Sequence, residues 1–175
     1  MTRVRHIVLV GLPGVGKTTA GAGVAARLGR RFIDFDSEIE RREQMRVARI
    51  FAERGESYFR GLERSLTAEL VNTEPAVLAP GGGWIMNPGV VALVRPVGDI
   101  IYLRARPETV LGRMGALRDD RPLLHGADPL AALTALLAER EASYAAADHV
   151  IDTDLLDPQQ VIDKIAELAS ASGGG

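Results

Sequence analysis

The stretch GLPGVGKTT, residues 11–19, follows the apolar run HIVLV and precedes a segment of helical periodicity. No other part of the chain limits its fold so tightly. The spacing GxxxxGK(S/T) is met at Gly11, Gly16, Lys17 and Thr18, in the strand–turn–helix context the motif requires. Glycines at 11, 14 and 16 let the backbone turn with its N–H groups inward. Those donors and the N-terminus of the next helix form a site for polyanions. Lys17 can reach β- and γ-phosphates, and the Thr18 hydroxyl can ligate Mg²⁺. With Gly14, Val15, Gly16 and Thr19 they make up the candidate phosphate set. A glycine-rich turn that matches by chance is the alternative, and it explains neither flank. Lysine occurs only at 17 and 164, and arginine fills almost every other basic position. A compact point charge is therefore wanted at Lys17. The turn is read as a holder of a nucleoside triphosphate.

The rest of the pattern alternates short apolar strands with amphipathic helices. Strands are expected at 7–10, 31–34, 76–79, 99–103 and 149–151. Helices are expected at 17–28, 36–42, 46–55, 60–71 and 88–94, then from Pro107, from the cap Asp128 to about 147, and from Pro158. The stretch RDDRPLLHGADP reads as a mobile loop, and the terminal SASGGG is expected to fray. Five strands separated by helices imply an α/β fold, a mainly parallel sheet with helices on both faces. Ligands of such sheets bind beyond the carboxyl ends of the strands, here marked by Gly11, Asp34, Pro80 and Leu103. No repeat or linker interrupts the chain, so residues 1–175 are read as one domain.

Composition removes several function classes. A net charge of -2 gives no general pull toward nucleic acid or membrane. There is no cysteine, which excludes disulfides and thiolate metal sites. His6, His125 and His149 lack metal-ligand spacing. No stretch approaches the roughly 20 apolar residues of a membrane span, and no signal peptide is apparent. The cytoplasm is the expected location.

A second site is legible at other strand ends. FIDFDSEIE puts Asp34 and Asp36 at the end of the second strand. In extended backbone, residues two apart face the same side. One carboxylate suits Mg²⁺ held through water, and the other suits accepting a proton from an alcohol. The plainer alternative makes Asp36 a helix cap. In YFRGLERSL, Arg60 suits bidentate binding of a carboxylate, although its spacing to Glu63 also fits a surface ion pair. APGGGW ends the third strand with three glycines, either for close ligand approach or as a flexible turn. Arg113, Arg118 and Arg121 fall in the region read as a mobile loop. They suit a lid that neutralises transferring charge, with a solvated loop as the alternative. Periodicity alone puts Arg140, in AEREASY, on a solvated helix face.

Together these residues resemble shikimate kinase, a small P-loop kinase of the nucleoside-monophosphate-kinase type. The resemblance spans nearly the whole chain and rests on GLPGVGKTT, DFD, FRGLE, GGG, RPLL, Arg140 and the late DTDLLDP. It implies a three-layer α/β/α P-loop kinase fold with a five-stranded parallel sheet. A helical substrate-binding insert is expected at about 36–64 and a lid at about 112–126. The implied reaction is Mg²⁺-dependent transfer of the ATP γ-phosphoryl group to the 3-hydroxyl of shikimate, in aromatic amino acid biosynthesis. A monomer is expected.

The implied roles follow residue by residue. Lys17 and Thr18 match the phosphate lysine and the magnesium hydroxyl, and Asp34 matches the aspartate near the metal. Asp36 matches the aspartate at the reacting hydroxyl, the proposed base. Arg60 and Arg140 match the arginines that bind the acid's carboxylate, and Gly82 and Gly83 the loop whose backbone approaches it. Arg121 matches the lid arginine that reaches the ATP phosphates and the substrate. Arg113 matches the arginine stacked on adenine, with Pro158 on the base's other side. The position after GGG is usually small in the family; here it is Trp84. That indole would narrow the pocket or pack beneath it, which keeps a kinase of another small hydroxylated acid, such as gluconate, as a rival. A non-catalytic nucleotide-binding module would have no need of Asp36, Arg60 and Arg140 together. A nucleotide acceptor suits the short segment 36–64 less well than a small acid does.

Overall fold

The segment His6–Val10 shows no alternation of exposure. Residues 7–10 are each 2% exposed or less. A strand buried on both faces belongs in the middle of a sheet that helices cover on each side. The computed structural model, which describes residues 4–87, 89–115 and 128–172, has that arrangement. The strands β1 (His6–Val10), β2 (Phe32–Asp34), β3 (Val77–Ala79), β4 (Gly98–Arg104) and β5 (His149–Asp152) form one sheet. Their order is β2-β3-β1-β4-β5, and every neighbouring pair is parallel. Even the polar His6 is buried. Its Nδ1 accepts from the Ala76 N–H at 3.1 Å, and burial, helped by the charge of Arg30, holds its pKa below the ordinary value.

The helices are α1 (Lys17–Leu28), α2 (Phe35–Glu43), α3 (Val47–Arg54), α4 (Glu56–Leu70), α5 (Val90–Val94), α6 (Pro107–Met114), α7 (Pro129–Ala145) and α8 (Pro158–Ser172). A 3-10 turn lies at Trp84–Met86. Helix α1 packs on β3 and against α8, α5 packs on β4, and α6 packs on α7. Helices α2, α3 and α4 pack on one another, and α2 and α4 carry Asp36 and Arg60, two of the acceptor residues expected from the sequence.

All five expected strands are present within a residue of their expected limits. Asp128 caps α7 as expected, accepting from the Ala131 N–H at 3.0 Å. Three local expectations are corrected. Helix α4 starts at Glu56 rather than at position 60, because the break falls at Gly55, whose φ of 81° few other residues adopt. Asp36 does not sit in extended backbone, because α2 begins at Phe35. Arg113 lies in the last turn of α6 rather than in a loop. Arg118, Arg121 and positions 116–126 of the expected lid lie outside the described residues.

Candidate active site

The glycine turn joins β1 to α1. Gly14 has φ 85°, and a Cβ there would lie 2.6 Å from Met114 of α6. Gly16 has φ 110° and stands at the N-terminus of α1 with no side chain to cap it. The first N–H groups of α1 therefore remain available to an anion. Lys17 Nζ donates back to the Gly11 and Leu12 carbonyls at 2.7 and 3.0 Å, so its ammonium spans the turn. Thr19 is exposed in the first turn of α1, and Val15 is buried.

Beside this turn, the Thr18 hydroxyl donates to Asp34 Oδ2 at 2.9 Å. The other carboxylate oxygen of Asp34 accepts from the Ser37 N–H at 3.0 Å and caps α2. The capping role considered for Asp36 thus belongs to Asp34. Among the described residues no group of three or more acidic, histidine or cysteine side chains gathers for a metal. A nucleotide-bound Mg²⁺ needs only one or two protein oxygens beside phosphates and water, so the Thr18–Asp34 pair fits it.

Asp36 is exposed in the first turn of α2, and its carboxylate faces the glycine loop after β3. A methyl group at Gly81 would lie 3.4 Å from Asp36 Oδ1 and 3.2 Å from Glu63 Oε1. Opposite them stand two arginines. A Cβ at Gly83 would collide with the Arg60 guanidinium. One at Gly82 would lie 2.9 Å from Arg140 Nη1 and 3.1 Å from Pro13 in the phosphate turn. Missing side chains at 82 and 83 therefore let guanidinium groups from α4 and α7 reach one loop, next to the turn that follows β1. Arg140 is only 7% exposed, which corrects the solvated face that periodicity predicts. Tyr144, one turn further along α7, donates its hydroxyl to the Gly82 carbonyl at 2.6 Å and stacks on Tyr102.

Arg60 is half-buried and pairs with Glu63 at 2.7 Å and with Glu56 at 3.2 Å. Glu63 has no exposed surface, and its Oε1 has no hydrogen-bond partner. The two partners do not shift in the complementary way of a surface pair. Burial pushes the Glu63 carboxyl up to about 7 against the pull of Arg60. Burial opposes the charge of Arg60 as well, but Glu63 and Glu56 outweigh it and the value is raised. At the fully buried carboxyl, desolvation wins. Sequence spacing flagged Glu63 only as an ion-pair partner.

Trp84 lies beneath the glycine loop. It is fully buried, and its indole N–H donates to Thr67 Oγ1 at 2.9 Å. Of the two placements the sequence left open, packing beneath the pocket is the one observed. Arg113 donates to the Val15 carbonyl at 3.3 Å and to Thr153 through both Nη atoms. It thus ties the phosphate turn to the β5–α8 connection, where Pro158 opens α8. Thr153 and Tyr144 were not singled out from the sequence; Thr153 lies within DTDLLDP, but nothing in that stretch marks its side chain, and Tyr144 belongs to no spaced motif.

Comparison with known proteins shows the family. The sequence model described as shikimate kinase matches residues 13–170. A shikimate kinase of Caldanaerobacter subterraneus subsp. tengcongensis is 41% identical over 164 residues, covering 94% of this chain and 93% of that relative. One from Moorella thermoacetica is 42% identical over 166 residues, covering 95% of each. Among solved structures, shikimate kinase from Acinetobacter baumannii in complex with shikimate superposes with a TM-score of 0.91 at 34% identity. That match covers 99% of this chain and 97% of the other.

Proposed function

The chain belongs to the shikimate kinase family, ATP-dependent kinases of shikimate, and we propose that it phosphorylates the 3-hydroxyl where the phosphate turn meets the glycine loop. The observation that carries this is the convergence of Arg60 and Arg140 on Gly82 and Gly83, with Pro13 of the phosphate turn in the same contact. Two guanidinium groups facing one loop form a receptor for a carboxylate. The turn beside them receives phosphates.

The chemistry follows from these positions. Arg60 and Arg140 hold the acid's carboxylate, which fixes the ring and turns its hydroxyl toward Asp36. Asp36 orients the hydroxyl and accepts its proton as the new O–P bond forms. The bond between the γ-phosphorus and the bridging oxygen breaks, and ADP leaves. Lys17 and the N–H groups of α1 neutralise the charge that builds on the phosphoryl oxygens. Catalysis of this kind is mainly positioning and charge stabilisation. Mg²⁺, held by Thr18 and through water by Asp34, would supply further positive charge at the phosphates. Arg113 and Pro158 are proposed to flank the adenine.

A coupled assay for ADP release, run with MgATP and a panel of hydroxy acids, tests the proposal. Turnover should require shikimate, and gluconate should not replace it. Folded protein that releases ADP equally with and without shikimate would refute the scheme.

A further inference from the structure

We infer that Trp84, Thr67 and Asn87 are positioning residues that fasten the acceptor loop to α4, and so set where Arg60 stands against the backbone of Gly82 and Gly83. The inference rests on the acceptor site proposed above. Its basis is a set of side-chain bonds between residues 84–87 and one face of α4. The Trp84 indole N–H donates to Thr67 Oγ1 at 2.9 Å, and that hydroxyl donates to the Glu63 carbonyl at 2.7 Å. Asn87 Nδ2 donates to the carbonyl of Arg60 itself at 2.7 Å. Arg64 Nη2 donates to Asn87 Oδ1 at 3.1 Å. Positions 60, 63, 64 and 67 share one face of a helix. These side-chain anchors of residues 84–87 therefore all end on the face that bears Arg60 and Glu63, while Tyr144 of α7 holds the Gly82 carbonyl separately.

The loop itself is stiff. Backbone bonds run from Trp84 N–H to Gly81 O (3.0 Å), Met86 N–H to Gly83 O (3.1 Å) and Asn87 N–H to Trp84 O (2.9 Å). A stiff turn tied to a helix at two points has little freedom to slide. Trp84 is fully buried and Asn87 is 4% exposed, so water does not compete for these bonds. Apolar side chains would fill the same volume without fixing a register. If the loop shifts along α4, the Arg60 guanidinium and the glycine backbone no longer face the same carboxylate. The apparent affinity for the acid then falls by the fraction of time the two are aligned. ATP binds at the other end of the site and should not feel the change.

Two substitutions remove the same bond from opposite sides. Trp84→Phe leaves Thr67 still bonded to Glu63, while Thr67→Val leaves the indole N–H buried and unpaired. Each should raise KM for shikimate by about three- to tenfold, the scale of one lost hydrogen bond. The kcat and the KM for ATP should stay within about twofold, because alignment and not chemistry is lost. Thr67→Ser keeps the hydroxyl and should restore the wild-type KM. The double variant should be no worse than the poorer single one, since both lose one bond. Hydrogen exchange reads the fastening without activity. Amides of residues 81–87 should exchange about tenfold faster in Thr67→Val than in the wild type, and at the wild-type rate in Thr67→Ser. A lower Tm with unchanged KM and unchanged exchange would overturn the inference, leaving Trp84 as core filling alone. Equal rises in both KM values, or additive effects in the double variant, would overturn it too. A wild-type protein without shikimate-dependent turnover would instead remove the acceptor reading, and the exchange rates would still decide the fastening.

Discussion

Glu63 holds a carboxyl group with no exposed surface and one unpartnered oxygen, beside a loop that needs positive charge. Its proton has a consequence for stability. Folded, the group titrates near 7; its ordinary value is 4.5. Between those pH values the folded chain keeps a proton that the unfolded chain has lost. The contribution of Glu63 is therefore most favourable below about 4.5 and declines as pH rises through about 7. The whole decline is about 3 kcal/mol. Glu63→Gln lacks this titration. Its stability relative to the wild type should increase from pH 5 to pH 8, as read by urea unfolding at each pH. A constant difference would show that the carboxyl is charged throughout. Asp36 bears on rate rather than stability, being exposed at the loop. Asp36→Asn keeps the shape and loses the proton acceptor, so kcat should fall by roughly 10²–10⁴. Near-normal kcat would limit Asp36 to a structural part in α2. The sequence brought Asp36 to the right strand end by an argument from alternation that the helical backbone does not support. Asp36 instead reaches the glycine loop, because α2 starts at Phe35 and its first turn brings the carboxylate near Gly81.

At the scale of elements, the strands were legible because each is a short apolar run closed by glycine, proline or charge. Helix starts were less so. The break before α4 depends on Gly55 alone, and helical periodicity continues on both sides of it. The burial of Arg140, a residue the resemblance named, was illegible in the periodicity for a different reason. It depends on a loop that arrives from the other side of the sequence, and no period within α7 records that. The glycine loop shows what the pairing of elements demands. Gly83 has ordinary helical backbone, φ −92° and ψ −1°, so alanine is sterically allowed there as far as the chain is concerned. What it would meet is the Arg60 guanidinium, the movable end of a long side chain. Gly83→Ala should therefore fold normally and push Arg60 off the loop. Displacing one charge-assisted contact costs about 1.5–3 kcal/mol of binding, which is about ten- to a hundredfold in KM for shikimate. KM for ATP should not follow it. A parallel rise in both would mean that the substitution shifts the neighbouring Gly82, which approaches Pro13, and so distorts the phosphate turn instead.

At the scale of the whole molecule, strand order decides why the two half-sites meet. The order β2-β3-β1-β4-β5 puts the carboxyl end of β1, with its phosphate turn, directly beside that of β3, with its glycine loop. Ligands of parallel sheets gather at such edges. Here the two loops are in contact through Pro13 and Gly82, with Arg140 from α7 closing the third side. The acid should thus bind to a site that only the complete fold assembles, and its binding free energy should add to the stability of that fold. At a shikimate concentration 100-fold above Kd, mass action adds about 2.7 kcal/mol. For a chain of this size each kcal/mol raises Tm by about 2–4 °C, so the expected rise is about 5–11 °C. ATP should give its own increment through the phosphate turn. In Arg140→Ala the two increments should separate. The rise with shikimate should shrink at the same concentration, while the rise with MgATP should persist, because the phosphate turn keeps Lys17 and its backbone donors. Thermal scans of both proteins with each ligand alone make the comparison. An undiminished shikimate shift in Arg140→Ala would leave the carboxylate to Arg60 alone and remove α7 from the acceptor site. Loss of both shifts would make Arg140 a brace between the two loops, with its guanidinium against Gly82 serving the phosphate turn as much as the acid.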